Sequence, residues 1–173
     1  IYIISEYEYE APDMGAFESP YSAESAVADT IELDAGWNLI SLDVAVEANG
    51  PVNVFSDLIS AGNLVAVTGY NNGALFYDPI LPPFLNSLTI IEAGFGYWVK
   101  INDSAILTAE GAEIEGDFTR DLLGGWNLMG YWLENSQLPL NGFSSLISAG
   151  NLVAATGYDN GALFFDPNLP EFL

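Results

Sequence analysis

The chain has no cysteine and no histidine, and of its 173 residues only Lys100 and Arg120 carry a positive side chain. Without cysteine there is no disulfide framework, no thiolate nucleophile and no soft metal ligand. Without histidine the side chain best suited to proton transfer near neutral pH is missing. Two cations against 24 Asp+Glu leave a net charge of −22. That excludes nucleic acid as a partner, because binding it requires Lys and Arg to neutralise phosphates. It also disfavours anionic membrane surfaces. No stretch approaches the ~20 apolar residues that span a bilayer, so no membrane insertion is expected. Paired carboxylates could serve glycoside hydrolysis, but among so many acids a close pair carries little information. The chain is expected not to be an enzyme.

Half of the residues are hydrophobic, enough for a core in each of two small domains. The acidic excess repels itself and suits a cation-rich setting, in which salt screens the carboxylates or divalent ions bridge them. The start at Ile1 rather than Met is consistent with a processed, secreted product. The near absence of Lys and Arg leaves few sites for trypsin-like proteases, which suits an extracellular location.

The most informative feature is an internal repeat. Residues 58–85, LISAGNLVAVTGYNNGALFYDPILPPFL, recur at 146–173 as LISAGNLVAATGYDNGALFFDPNLPEFL, with five differences in 28 positions at an offset of 88. A GWNL motif at 36–39 recurs at 125–128, at an offset of 89. Repetition of this kind builds an architecture from like units. The expected fold is mainly β, two tandem β domains with one short helix each: repeat one over 31–115, repeat two over 116–173. The run 86–110 of repeat one, NSLTIIEAGFGYWVKINDSAILTAE, has no counterpart after Leu173 in the sequence given. Repeat two is therefore expected to be incomplete and to be complemented by a strand from elsewhere.

Within repeat one, IELDAGWNLISLDV predicts a strand, a Gly turn and a second strand. VNVFSDLISAG has helical spacing, with Gly62 placed to end it. NLVAVTGY, the Asn71-Asn72-Gly73 turn and ALFYDP predict a hairpin. ILPPFLNSL reads as an irregular crossing, and LTIIEAG, FGYWVKI and AILTAEG as closing strands, with Lys100 outward against inward Tyr97 and Val99. Repeat two is expected to follow the same order. Trp37 and Trp126 of the two GWN motifs suit core packing, with sugar stacking as the other use of such rings. Asn38 and Asn127 can bond nearby backbone. Upstream, IYIISEYEYE at 1–10 alternates as an amphipathic strand, MGAFE at 14–18 suits a second short strand, and 19–30 reads as a linker. The thirteen residues 18–30, fully extended, reach about 43 Å.

The combination of GWNLI, LVAVTGY, ALFYDP, LPPFLNSLT and EAGFGYWVK resembles a tandem module of secreted bacterial and archaeal surface proteins, which opens on GWNLI and closes on G-x-GYW. The match covers 31–110 fully and 119–173 partly. APDMGAFE at 11–18 is similar to the PDIGAYE-type ending of parallel β-helix surface proteins. These resemblances imply a secreted, cell-surface setting.

The functional expectation is an extracellular structural protein that self-assembles head to tail into a filament. Its own residues 1–18 would donate the strand, through Ile1, Tyr2, Ile3, Ile4, Tyr7, Tyr9, Met14 and Phe17. Repeat two of the next molecule would accept it, through Trp126, Leu128, Tyr131, Leu163, Phe165, Phe172 and Leu173. The partner is thus another copy of the chain. The alternative is a monomeric adhesion or carbohydrate-binding module of a larger secreted protein, with a glycan as ligand. No cofactor is required. Ca²⁺ is the cation the acids would take, with Glu113, Glu115, Asp117, Asp159 and Asp166 as candidate ligands. No D-x-D-x-D-G loop is present, and Asp166, like Asp78, precedes Pro, which suits a plain turn.

Overall fold

The computed structural model describes residues 26–133, 135–158 and 161–169. The expected donor positions Ile1 to Phe17, together with Asp159, Phe172 and Leu173, lie outside the described residues.

Repeat one is a mainly β unit, as its alternating sequence predicts. Strands β1 (Val27–Leu33) and β2 (Gly36–Ile40) flank the Gly turn, and β3 (Val44–Ala45) follows. Two short helices, α1 (Pro51–Val54) and α2 (Ser56–Ser60), take the place of the single predicted helix, with Phe55 at the junction. Strands β4 (Leu64–Tyr70) and β5 (Ala74–Tyr77) form the predicted hairpin, and Asn72 takes a φ of 54° in its turn. A 3-10 turn spans Pro83–Leu85, and β6 (Tyr97–Ile101) and β7 (Ala105–Glu113) close the unit. β1 begins at Val27, so residues 27–30 are strand rather than linker.

Two antiparallel sheets enclose one core. One has the order β1-β7-β3, the other β2-β6-β4-β5. Strand alternation sends Tyr97, Val99 and Ile101 of β6 inward, while Trp98 and Lys100 point out. Among the described residues the eighteen buried hydrophobic side chains lie between Leu33 and Ile114, and eight of them come from residues 88–114. The closing segment thus supplies close to half of the core. The predicted strand LTIIEAG does not form. Leu88 and Ile91 are buried three residues apart, and their amides bond the carbonyls of Phe76 and Asn49 in turn. Those anchors lie on different neighbours, which is incompatible with one ladder. The segment instead covers the outer edge of β5, where Ser87 Oγ accepts from the Phe76 amide at 2.9 Å.

One glycine in this closing segment is sterically required. A Cβ on Gly111 would fall 2.6 Å from the Ala45 carbonyl carbon and 2.9 Å from the Val46 nitrogen, inside the β3–β7 pairing. Both obstacles are backbone. Gly111→Ala is expected to lower stability by about 2 kcal/mol and the melting temperature by roughly 10 °C. Calorimetry that finds no loss would show that β3 can shift aside.

Repeat two diverges. Helices α3 (Pro139–Gly142) and α4 (Ser144–Ser148) match their counterparts, and β8 (Ala155–Tyr158) and β9 (Ala162–Phe165) form the second hairpin. The expected order of strands is not reproduced. Among the described residues β8 and β9 form a two-stranded sheet, and GWNL is not a strand; Met129, the residue after it, forms an isolated bridge with Phe95 of repeat one. A strand needs a partner, and in repeat one that partner is β6.

Candidate functional site

The feature that stands apart is the uncovered face of repeat two. Its hairpin sequence is nearly that of β4–β5, and its register is the same: Ala155 faces Phe165 as Val67 faces Tyr77. Yet β4 has β6 on its second edge, whereas β8 has β9 as its one strand partner among the described residues. Phe55, Leu58 and Leu64 are buried in repeat one, while their counterparts Phe143, Leu146 and Leu152 are only half-buried. No hydrophobic residue after Ile114 is buried among the described residues. An apolar hairpin with an unpaired edge is a ready template for another strand.

The predicted acceptor residues fall into two groups. Leu163 and Phe165 sit on β9, Leu163 well exposed and Phe165 half-buried. Leu128 and Tyr131 belong to a seam against repeat one: the Gly96 amide donates to the Leu128 carbonyl at 3.2 Å, and the Gly130 amide to Gly94 at 3.0 Å. Ser41 Oγ donates to the Tyr131 carbonyl and accepts from its amide. A Cβ on Gly130 would meet Ser41 and Phe95 at 2.6–2.7 Å, so the seam depends on that glycine. The seam fastens one end of repeat two to the completed repeat. Its hairpin also touches there, through Tyr158 packed edge-on against Trp98 at 5.4 Å.

The tryptophans of the GWN motifs correct the expectation of core packing. Trp37 is 44% exposed and Trp126 is 68% exposed. The turn fixes their side: Gly36 and Gly125 take φ of 104° and 102°, and Asn38 and Asn127 each bond back four residues, as expected of them. Ile40 then faces the core, and Trp37, of opposite parity, faces out across from Lys100. The Lys100 ammonium lies 5.6 Å above the Trp37 ring, and the Arg120 guanidinium lies 3.4 Å from the Phe95 ring centre. Both of the chain's cations therefore rest on aromatic faces. Arg120 also pairs with Glu92 at 3.4 Å, which fixes the start of repeat two to the closing segment of repeat one. Neither contact was legible in the sequence, since each joins residues far apart in the chain.

The candidate Ca²⁺ ligands that lie among the described residues do not converge. Among the described residues no three acidic side chains group as a metal site. Glu113, Glu115 and Asp117 are exposed along the end of β7 and the turn beyond it. Asp166 turns inward on its own loop, where its Oδ1 accepts from the Asn168 amide at 2.8 Å. Asp78 accepts from the Ile80 amide in the same way, as expected of a plain turn. Among the described residues no helix is long and apolar enough to cross a membrane.

A different acidic pair does meet. Asp29 of β1 and Asp43, ahead of β3, share a site in which the Asp43 amide donates to Asp29 Oδ2 at 3.2 Å. Burial, with the Asp43 carboxylate beside it, raises the Asp29 carboxyl above its ordinary value of 3.8. Between 3.8 and that raised value the folded state holds a proton that the unfolded chain has released. Stability falls as pH rises from 3.8 through the raised value. Asp29→Asn removes both the charge and the titration. It is expected to be more stable than the parent at pH 7 by roughly 0.5 kcal/mol, since solvent screens this half-exposed pair. The advantage should shrink toward pH 4 in thermal melts, and an advantage that stays constant with pH would rule out the repulsion.

No protein-family model, curated protein or solved structure matches the chain. The case for function therefore rests on the site itself.

Proposed function

We propose that this is an extracellular structural protein that polymerises by strand complementation, repeat two of each molecule accepting a β-strand from its neighbour. The observation that supports it is the contrast between near-identical sequences. One copy has a four-stranded sheet over a closed core; the other, among the described residues, has a two-stranded sheet and no fully buried hydrophobic side chain. The donor in this reading is the alternating segment Ile1–Glu10, delivered by the linker that follows it. Main-chain hydrogen bonds would supply affinity, and alternate side chains would fill the open core. Because donor and acceptor are different surfaces, the contact propagates rather than closes, and the product is a filament. The −22 charge keeps such a polymer soluble and favours assembly in salt. The GWNL and GYWV resemblance to secreted surface modules supports the extracellular setting.

Analytical ultracentrifugation and negative-stain microscopy of the full chain test this reading. Concentration-dependent filaments that lengthen with salt are expected; a monomer at every concentration and salt would end it. The second reading, a monomeric glycan-binding module, has the exposed rings of Trp37 and Trp126 in its favour. Trp98 is less suited to that role, because Tyr158 packs against it. Glycan-array binding by a monomer, lost in a folded Trp37→Ala or Trp126→Ala variant, would select the second reading.

A further inference from the structure

We infer that the open edge of β8 is cut for a strand with isoleucine at its central inward position, and that Ala155 sets this preference. The inference rests on the strand-acceptor reading and names the chemistry of the strand. In repeat one the central row of the sheet runs from Val99 on β6 to Val67 on β4 and Tyr77 on β5, each directly opposite the next. Val99 and Val67 are both 0% exposed, so the row is filled. Of the five differences between 58–85 and 146–173, three lie in the turn or loop, at 71, 80 and 83. The other two fall on this one row. Val67 becomes Ala155 and Tyr77 becomes Phe165, and they still face each other.

Both changes alter the wall against which a strand in the place of β6 would press. Val to Ala removes two carbons, and Tyr to Phe removes the one hydroxyl. The row becomes roomier and wholly apolar. A strand like β6, with valine at the centre, would leave a void there, and neighbours of a void lose their dispersion contacts. Isoleucine restores one of the two missing carbons. The segment Ile1–Glu10 offers isoleucine on either face, Ile3 on one and Ile4 on the other. The occupant that fits is therefore the amino-terminal strand of a second copy, in preference to a second copy's closing strand.

Two fluorescent peptides, residues 1–10 and residues 95–102, titrated onto the full chain by anisotropy, test this. The 1–10 peptide is expected to bind about tenfold more tightly than the closing-strand peptide. Ala155→Val should weaken it about tenfold and remove the preference. Replacing Ile3 or Ile4 of the peptide with valine, whichever faces inward, should weaken binding to the parent chain severalfold and restore binding to the Ala155→Val chain. A 1–10 peptide that binds but ignores both Ala155→Val and its own Ile→Val changes overturns this inference and leaves the acceptor reading standing. Failure of both peptides to bind overturns both. If Ala155→Val does not fold, the Ile3→Val and Ile4→Val peptides on the parent chain decide alone, and affinities equal to the parent peptide's overturn the inference.

Discussion

Deletion of residues 1–10 is expected to leave soluble monomers under conditions in which the full chain forms filaments. Among the described residues the second edge of β8 has no strand partner and lies beside apolar side chains. In repeat one the same position is held by β6, bonded on both sides, and the residues around it are sealed. A donor strand that buried roughly 500 Å² of apolar surface would contribute about 12 kcal/mol before ordering costs. Ordering a ten-residue segment and fixing the two molecules consumes much of that. A surplus of two thirds of the gross figure, about 8 kcal/mol, would hold subunits together at micromolar concentration. With the donor gone, β9 is the one strand partner of β8 among the described residues, and their amides should exchange rapidly while those of β4 and β6 stay protected. Filaments of undiminished length from the deleted chain would rule out the donor role. Protection of β8 amides in that deleted monomer would show that repeat two is sealed without a partner.

The parts of the fold that were legible in the sequence are those set by local stereochemistry. Asn72-Gly73 marks a hairpin because tight turns demand positive φ, and the turn is there. The period-two parity of GYWVKI places Val99 inside and Lys100 outside without any knowledge of the partner strands. What was not legible depends on which surfaces meet. LTIIEAG has a strand-like composition, yet its hydrogen bonds go to Phe76 and Asn49, which only tertiary placement brings near. Trp37 is the chain's most bulky kind of side chain, and size argues for burial. Its parity is fixed instead by Ile40 three residues on, whose burial turns Trp37 outward. The Asp29–Asp43 contact and the Arg120–Phe95 stack likewise join residues that local pattern cannot connect. For the site, comparison of the copies marked 86–110 as the run that closes repeat one. The seam through Gly96, Gly130 and Ser41 has no counterpart inside either copy, so comparing the copies could not disclose it.

The same substitution made in each copy should have opposite consequences. Phe55 is 1% exposed at the junction of α1 and α2, and it belongs to the core shared by both sheets of repeat one. Phe55→Ala is expected to cost about 3–5 kcal/mol, from lost transfer energy and the cavity left behind. Against a total stability of roughly 5–15 kcal/mol that is enough to unfold a large fraction of molecules on mild heating. Phe143 occupies the equivalent place between α3 and α4, but it is only half-buried and has no closed core around it. In the monomer Phe143→Ala should cost clearly less than Phe55→Ala, because the ring keeps part of its surface in water and a site open to solvent leaves no sealed cavity behind. Its effect should appear instead in assembly. If an incoming strand completes the core of repeat two, Phe143 becomes buried at that step, and the truncation should weaken subunit association by about a hundredfold, or roughly 3 kcal/mol. Urea unfolding of the monomer and sedimentation of the polymer separate the two costs. Equal losses of monomer stability from Phe55→Ala and Phe143→Ala would mean that repeat two already has a sealed core of its own. A Phe143→Ala chain that assembles as tightly as its parent would mean that the strand, if it binds, does not complete that core.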